Sequence, residues 1–271
     1  MENKIASVLN GARVAVIPSY ANKPDFGDID VLVSVPDTEI DYTSIASVLG
    51  SSQIVRNGEV TSFGLPVLAG LFQVDLVQSR EETFDFALRY FAFNDLGNLL
   101  GRVAHKAGFK LGQYGLLYSF RDDTGNLIAE IPVTTDWSAA LALLGYDPVV
   151  YGRGFDGGFC DLSDIFSFVL TSHYCNRSIY LLENRNAISR ERDRKRKTYS
   201  AFLAWLRNIS EGGPPAFDWS DKNETRKDFL GRAFEAFPDF FERYLEVVRQ
   251  ERMTARFKEK FNGAIVGRVT G

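Results

Sequence analysis

Histidine and cysteine are scarce in this chain, which has only two of each among 271 residues. So few histidines argue against a catalytic centre or metal site built on imidazole. Cys160 and Cys175 are too few for a disulfide framework, and we expect both to be buried free thiols.

Long apolar runs are also missing. No segment approaches the roughly 18 residues that a membrane-spanning helix needs, and the N-terminal Met-Glu-Asn-Lys lacks a signal-peptide pattern. Hydrophobic residues make up 45% of the chain and charged residues 24%, as in ordinary globular proteins. We therefore expect a cytoplasmic protein without a membrane partner that functions as a monomer.

An overall positive charge is absent too, since the formal net charge is −4, which argues against a surface that coats polyanions in general. One region departs from this balance. Between Arg177 and Arg207 basic residues exceed acidic ones by six, and the densest part begins at Arg185 and ends at Lys197. Two interpretations remain open: a solvated helix face, or contacts with the phosphate backbone of a nucleic acid.

Three aspartates on two predicted strands are the main chemical feature of the sequence. Residues 27–33 alternate in a strand pattern, so Asp28 and Asp30, two residues apart, point to the same face. Residues 72–77 form a second apolar run that one acid, Asp75, interrupts. If the two strands are neighbours, the three carboxylates meet at one edge of a sheet.

Such a cluster calls for a cation, because uncompensated carboxylates repel one another and are costly to bury. Mg²⁺ suits the cluster best, since it prefers oxygen ligands and keeps positions open for phosphate oxygens. Two such ions, with Mn²⁺ as a substitute, would activate an attacking hydroxyl and hold a leaving pyrophosphate.

The segment before the acids is suited to phosphate. Residues 14–17 predict a strand, and the prolines that follow it predict a turn. Backbone amides of this turn, the Ser19 hydroxyl and Lys23 are candidates for holding a triphosphate. Gly27 would allow close backbone approach just before the first acid.

This spacing resembles the nucleotidyltransferase superfamily typified by DNA polymerase beta. Its signature is a turn with a small residue and a serine, an acid-x-acid strand about ten residues on, and a third acid on a later strand. The resemblance implies that Asp28, Asp30 and Asp75 bind the metals and catalyse the transfer. The sequence departs from the signature at Pro18, where the superfamily has a glycine before the serine.

Further along, the chain resembles the polymerase X family. Tyr90 and Phe91 match an aromatic pair that packs against the incoming sugar, while Asp95 and Asn98 match positions that face the incoming base. Arg102 matches an arginine that contacts the template side. Phe93 stands where the family has a glycine, which predicts a stiffer hinge before the helix.

Other local patterns complete the prediction. Asn57-Gly58 predicts the two-residue turn of a β-hairpin, and apolar spacing predicts a helix over residues 96–107 that ends at Gly108. Glycine-rich residues 151–158 predict a flexible joint. Helical spacing dominates from residue 162 onward.

The predicted fold class is therefore α+β. We expect a nucleotidyltransferase palm, a mixed sheet flanked by helices, over residues 1–88, and a polymerase X-like thumb over 89–153. An all-α domain, a candidate for nucleic-acid binding, follows over 154–271. Only about ten residues precede the first strand, so we expect neither a lyase domain nor helix-hairpin-helix modules there. Such economy would suit a bacteriophage or mobile element, in the host cytoplasm.

The predicted function is a Mg²⁺-dependent transfer of a nucleoside monophosphate from an NTP or dNTP to a 3′-hydroxyl. The resemblance favours a DNA-directed DNA polymerase acting on primer and template DNA. One alternative is untemplated transfer to RNA, tRNA, a protein or a small molecule. A second alternative is a non-catalytic nucleic-acid-binding module.

Overall fold

A five-stranded mixed sheet organises the first part of the chain. The computed structural model describes residues 1–9, 11–34, 40–68, 70–209 and 216–261. The strands are β1 (Val14–Val16), β2 (Asp28–Ser34), β3 (Gln53–Asn57), β4 (Val60–Val67) and β5 (Gly70–Ser79), in the order β1-β2-β5-β4-β3. Strands β2 and β5 are parallel, and the other pairs are antiparallel. The prediction that the two acid-bearing strands are neighbours is confirmed.

The two faces of this sheet pack against different helices. On one face, Val31 and Val33 pack against α1 (Glu2–Ala6) and α2 (Tyr42–Leu49). On the other face, Leu32 and Val77 pack against α3 (Phe84–Phe91), which follows a 3₁₀ turn at Glu81–Thr83. Side chains alternate along a strand, so the three aspartates share the α3 face with Leu32 and Val77. The three aspartates therefore lie on the face of the mixed sheet that α3 covers.

A helix and a smaller sheet follow. Helix α4 (Leu96–Ala107) has the predicted bounds and ends at Gly108, whose φ of +94° is a left-handed conformation that glycine adopts without strain. Strands β6 (Phe109–Gly112), β7 (Gly115–Arg121) and β8 (Leu127–Thr134) then form an antiparallel sheet, and α5 (Trp137–Leu143) follows it.

The described residues after Thr134 contain helices and turns but no strand. The remaining helices are α6 (Pro148–Arg153), α7 (Leu162–Val169), α8 (Ala187–Lys195), α9 (Lys197–Asn208), α10 (Lys222–Ala236) and α11 (Pro238–Lys260). One hydrophobic core runs from Phe86 to Phe240 and crosses the predicted boundary between residues 153 and 154. The other predicted boundary, between residues 88 and 89, falls inside α3. The three-part division stays a prediction.

Two local predictions need correction. Asn57 pairs with Val60, so the hairpin loop is Gly58-Glu59, one residue later than predicted, and Gly58 supplies the positive φ of +60°. The glycine-rich segment, predicted to be a flexible joint, forms a kinked turn at Gly154–Gly158, and its Phe155 ring and the following Phe159 ring pack into the core.

Two further observations concern the chain as a whole. Both cysteines are free, as predicted, but the prediction that they are buried is wrong for Cys160, which is exposed. Cys175 is partly buried, and this burial raises the pKa of its thiol to about 11. None of the helices in the described ranges is both long enough and apolar enough to cross a membrane.

Candidate functional site

The three aspartates lie side by side at one end of the mixed sheet. In the parallel pairing of β2 with β5, Asp30 stands opposite Asp75 and Asp28 stands opposite Gln73. The Gln73 amide nitrogen donates to both carboxylate oxygens of Asp75, at 2.9 and 3.0 Å. The register thus places Asp30 directly beside Asp75 as expected, but on two interior strands rather than at an edge of the sheet.

Repulsion within this cluster is concentrated on Asp30. Burial, then the charges of Asp28 and Asp75, raise the pKa of Asp30 from its ordinary value of 3.8 to about 6, although Lys23 acts in the opposite direction. A raised carboxyl pKa means that the ionised form lacks compensation from its surroundings. The cluster is therefore short of positive charge.

These residues fit a divalent cation in donor type and charge. Carboxylate oxygens are hard ligands of the kind that Mg²⁺ and Mn²⁺ prefer, and a cation would relieve the repulsion around Asp30. Within the described ranges, however, no three or more His, Cys, Asp or Glu side chains are already gathered as a metal-binding group. The donors are adjacent in register, and their carboxylates would have to turn toward a shared ion.

A cavity of about 340 Å³ opens onto the acid cluster. Its lining includes six of the residues predicted for the site: Ser19, Lys23, Asp28, Asp30, Asp75 and Phe91. Its volume lies in the range of roughly 300–1,000 Å³ that small-molecule sites occupy. The sequence thus identified one wall of a real cavity, and we call this cavity the acid cavity.

The predicted phosphate turn is held in place by residues far away in the chain. The amide of Ala21 donates to the carbonyl of Phe159 at 3.0 Å, and the amide of Phe93 donates to the carbonyl of Pro18 at 2.8 Å. The Ser19 hydroxyl oxygen is buried and has no hydrogen-bond partner among the described residues. A buried hydroxyl without a partner needs an explanation, and a ligand oxygen at this turn would supply the missing partner.

Lys23 and Gly27 occupy the open side of the site. The Lys23 ammonium lies over the Phe26 ring, 4.4 Å from its centroid, and both residues line the acid cavity. Gly27 is exposed, and a Cβ built on it would meet no atom within 4 Å. The surrounding protein therefore does not require a glycine there, and its predicted role in ligand approach stays a prediction.

Four predicted residues of the thumb do not line the acid cavity. Tyr90 packs on Gly97, where an added Cβ would lie 2.2 Å from the Tyr90 carbonyl oxygen. Asp95 forms an ion pair with Arg196. Neither of these two contacts involves an aspartate of the acid cluster.

The other two, Asn98 and Arg102, are turned inward. The amide nitrogen of Asn98 is buried without a partner in the described part of the chain. The buried Arg102 guanidinium donates from Nε and Nη2 to the carbonyl of Ile179, at 3.3 Å each. Their roles toward a base or a template stay predictions.

Sequence reasoning missed several residues that line the acid cavity, among them Phe26, Glu59, Asn94 and Gln113. Glu59 and Gln113 meet although 54 residues separate them, and their hydrogen bond is 2.5 Å long. No local pattern marks such a contact. The turn composition around Gly58 was the single available signal, and it predicted a hairpin rather than a site.

The basic stretch from Arg185 to Lys197 is only partly available to a partner. Arg185 is buried in an ion pair with Asp193, at 2.6 Å, and Arg190 donates to the carbonyls of Leu182 and Arg185. The exposed members of the stretch include Arg192, Arg194, Lys195 and Lys197. Part of this charge therefore stabilises the fold, and contact of the remainder with nucleic acid stays a prediction.

A second cavity, of about 430 Å³, lies between β8 and the start of α11. Arg243 crosses it to donate to the carbonyl of Pro132 at 3.1 Å, and its lining includes the single carboxylate of Asp239. It has no group of acids, so the acid cavity is the better candidate site.

Comparison with known proteins does not add an identity: neither a family model nor a curated protein matches the chain. The functional argument therefore rests on the site. It combines three adjacent carboxylates, a lysine, an unpaired buried hydroxyl and an aromatic wall around one cavity. Such a set is suited to binding a metal-complexed phosphate compound with an attached apolar or aromatic group.

Proposed function

We propose that this chain is a Mg²⁺-dependent nucleotidyltransferase, which transfers a nucleoside monophosphate from an NTP or dNTP to a hydroxyl and releases pyrophosphate. One observation carries the proposal: Asp30 stands opposite Asp75 between parallel strands, with Asp28 on the same face, at the wall of the acid cavity. The raised pKa of Asp30 supports it, because the cluster needs compensating cations.

In this proposal Asp28 and Asp30 would hold the ions, and Asp75 would contribute a further carboxylate ligand. When bound, such ions activate an attacking hydroxyl and stabilise the charge on a leaving pyrophosphate. Asp75 orients the acceptor hydroxyl and accepts its proton, while Gln73 fixes the Asp75 carboxylate through two hydrogen bonds. Both carboxylate oxygens of Asp75 are therefore oriented by Gln73, which lies two residues earlier on β5.

The nucleotide is positioned by groups on the other wall. The Lys23 ammonium neutralises triphosphate charge, and the unpaired Ser19 hydroxyl donates to a phosphate oxygen. Phe91 provides an apolar surface for the sugar. Alignment and charge neutralisation are the main requirements of phosphoryl transfer, so these few residues suffice for catalysis.

The acceptor that we propose first is the 3′-hydroxyl of DNA, in a templated reaction in the cytoplasm. The order and spacing of the acids support this choice through the resemblance to the polymerase X family. The exposed residues of the basic stretch support it through the phosphate contacts that they offer, namely Arg192, Arg194, Lys195 and Lys197.

Untemplated transfer is the second candidate, and the placement of Arg102 favours it. The Arg102 guanidinium is bound to the Ile179 carbonyl inside the protein, and Asp95 is paired with Arg196. Neither side chain lines the acid cavity. An enzyme that transfers without a template needs no contact from these positions.

Extension of a labelled DNA primer with Mg²⁺, with and without a complementary template, separates the candidates. We expect products to be lost in Asp75→Asn, because that change removes one ligand and the proton acceptor together. Products that depend on the template support a polymerase, and equal products without it support untemplated transfer. The absence of Mg²⁺-dependent turnover with DNA, RNA, protein or small-molecule acceptors would leave only the non-catalytic binding module.

A further inference from the structure

The acid cavity has a second polar end that the proposed chemistry does not use. Val60 pairs with Val77, two residues beyond Asp75 on β5, and Glu59 is the next residue of the hairpin loop. Since a strand rises about 3.3 Å per residue, Glu59 lies about 10 Å along the sheet from the level of Asp75. Both Glu59 and Asp75 line the same cavity.

The wall between the two ends is apolar. Ile17, Val60, Val77 and Phe91 belong to one hydrophobic cluster on the α3 face, and all four line the cavity. A phosphate-binding end, an apolar middle with an aromatic ring, and a polar far end match the order of parts in a nucleotide. The far end is therefore where a base would present its polar edge.

Two hairpin turns from different sheets build this far end. The Glu59 carboxylate accepts hydrogen bonds from the Gln113 amide nitrogen, at 2.5 Å, and from the Tyr114 hydroxyl. Gln113 and Tyr114 form the two-residue loop between β6 and β7, since Gly112 pairs with Gly115. Arg80 lies over the Tyr114 ring, 5.3 Å from its centroid. These contacts fix the orientation of the carboxylate.

Glu59 and Gln113 leave hydrogen-bond acceptors available at this end. A carboxylate has about four acceptor positions, and the two bonds from Gln113 and Tyr114 use only part of them. Because the Gln113 amide nitrogen donates to Glu59, the amide oxygen remains as an acceptor. An acceptor-rich end selects a base edge that carries donors.

Building on the second candidate for the proposed function, untemplated nucleotidyl transfer, we infer that Glu59 and Gln113 recognise the nucleobase and that the acid cavity prefers guanine nucleotides. The Watson–Crick edge of guanine presents two adjacent donors, the ring N1–H and the exocyclic amino group, which one carboxylate can accept together. Adenine, cytosine, uracil and thymine each offer a single donor group on that edge. Base selection by the protein itself agrees with untemplated transfer.

The test is the affinity of the full chain for non-hydrolysable analogues of GTP, ATP, CTP and UTP with Mg²⁺, measured by calorimetry. We expect the guanosine analogue to bind about tenfold more tightly than the others, as a charge-assisted hydrogen-bond pair provides. Glu59→Gln should weaken guanosine binding by about tenfold and leave adenosine binding unchanged. The exposed Glu82→Gln is the matched control and should bind like the wild type.

Gln113→Leu provides a second variant that leaves Glu59 itself in place. It should also reduce the preference for guanosine, because Glu59 loses a partner that orients it. Thermal melts of each variant verify that the fold is retained.

The outcomes distinguish this inference from the function on which it rests. Equal affinity for all four analogues, or an unchanged preference in Glu59→Gln, would overturn base recognition while leaving nucleotidyl transfer intact. Failure of every analogue to bind, together with no pyrophosphate release from any NTP, would overturn the proposed function and the inference with it.

Discussion

Protons and magnesium should compete for Asp30. The pKa of Asp30 is raised from 3.8 to about 6, mainly by burial and by the charges of Asp28 and Asp75. At pH 5 about nine-tenths of this carboxyl is protonated, so the apparent Mg²⁺ affinity should be about tenfold lower than at pH 8. The direction follows from the charge, since only the ionised carboxylate binds the cation.

Without metal, the same group should reduce stability as the pH rises. Because the folded pKa lies above the unfolded one, the folded state holds the proton more tightly, and the free energy of unfolding falls between pH 4 and pH 6. The full difference would correspond to roughly 3 kcal/mol. Part of the Asp30 side chain is exposed to water, and screening reduces this to about 1 kcal/mol.

Magnesium should reverse this loss. At a Mg²⁺ concentration about 100 times the dissociation constant at pH 8, binding adds about 2.7 kcal/mol to the free energy of unfolding. The tenfold weaker binding at pH 5 adds only about 1.4 kcal/mol. The corresponding rises in melting temperature are about 5–10 °C at pH 8 and about half of that at pH 5.

Thermal denaturation with and without Mg²⁺ at pH 5, 6, 7 and 8 measures this effect. Asp30→Asn should abolish most of the rise at every pH, and Asp123→Asn, an exposed position between β7 and β8, should leave it unchanged. A rise of the same size at pH 5 and pH 8, or one retained in Asp30→Asn, would refute the assignment of Asp30 as a metal ligand.

Two further predictions concern stability. Asp193→Ala should lower the free energy of unfolding by about 3–5 kcal/mol, because it leaves the Arg185 guanidinium buried without its partner. Urea denaturation measures this loss. A loss below about 1 kcal/mol would show that the pair is solvated. Gly97→Ala should lower the free energy of unfolding by about 1–3 kcal/mol or more, because the new methyl group would overlap the Tyr90 carbonyl oxygen. The control is Gly231→Ala in α10, where nothing lies within 4 Å, and a gain of about 0.5–1 kcal/mol is expected there.

The acid cluster could be predicted from the sequence because it depends on local alternation. Strand period alone places Asp28 and Asp30 on one face, and two neighbouring apolar strands bring Asp75 beside them. The bounds of α4 were equally accessible, since a left-handed glycine ends its apolar stripe. In both cases, the pattern of residues close together in the sequence was sufficient for the prediction.

The remaining parts of the site depend on contacts between distant segments. Arg196 reaches Asp95 across 101 positions, and Arg102 is tied to Ile179 across 77. The sequence gives no information on such pairings, because either arginine could equally have faced solvent. That is why four thumb residues, Tyr90, Asp95, Asn98 and Arg102, were predicted near the ligand although they do not line the acid cavity, whereas Phe91 does.

Phe93 shows how tertiary packing overrides local preference. Its φ of +59° is a conformation that favours glycine, and Asn94 follows with +60°. The Phe93 ring makes edge contacts with Phe155 and Phe159, at centroid distances of 5.9 and 5.0 Å, which stabilise the strained turn. The glycine-rich segment that looked like a joint thus supports the backbone beside the acid cavity.

The position of the bound ions tests the central claim most directly. Crystals grown with Mn²⁺ and a non-hydrolysable NTP analogue would locate the metal by anomalous scattering. We predict ions at about 2.0–2.6 Å from carboxylate oxygens of Asp28, Asp30 and Asp75, with the phosphates beside Ser19 and Lys23. Mn²⁺ bound away from these aspartates, or a nucleotide outside the acid cavity, would contradict the proposal.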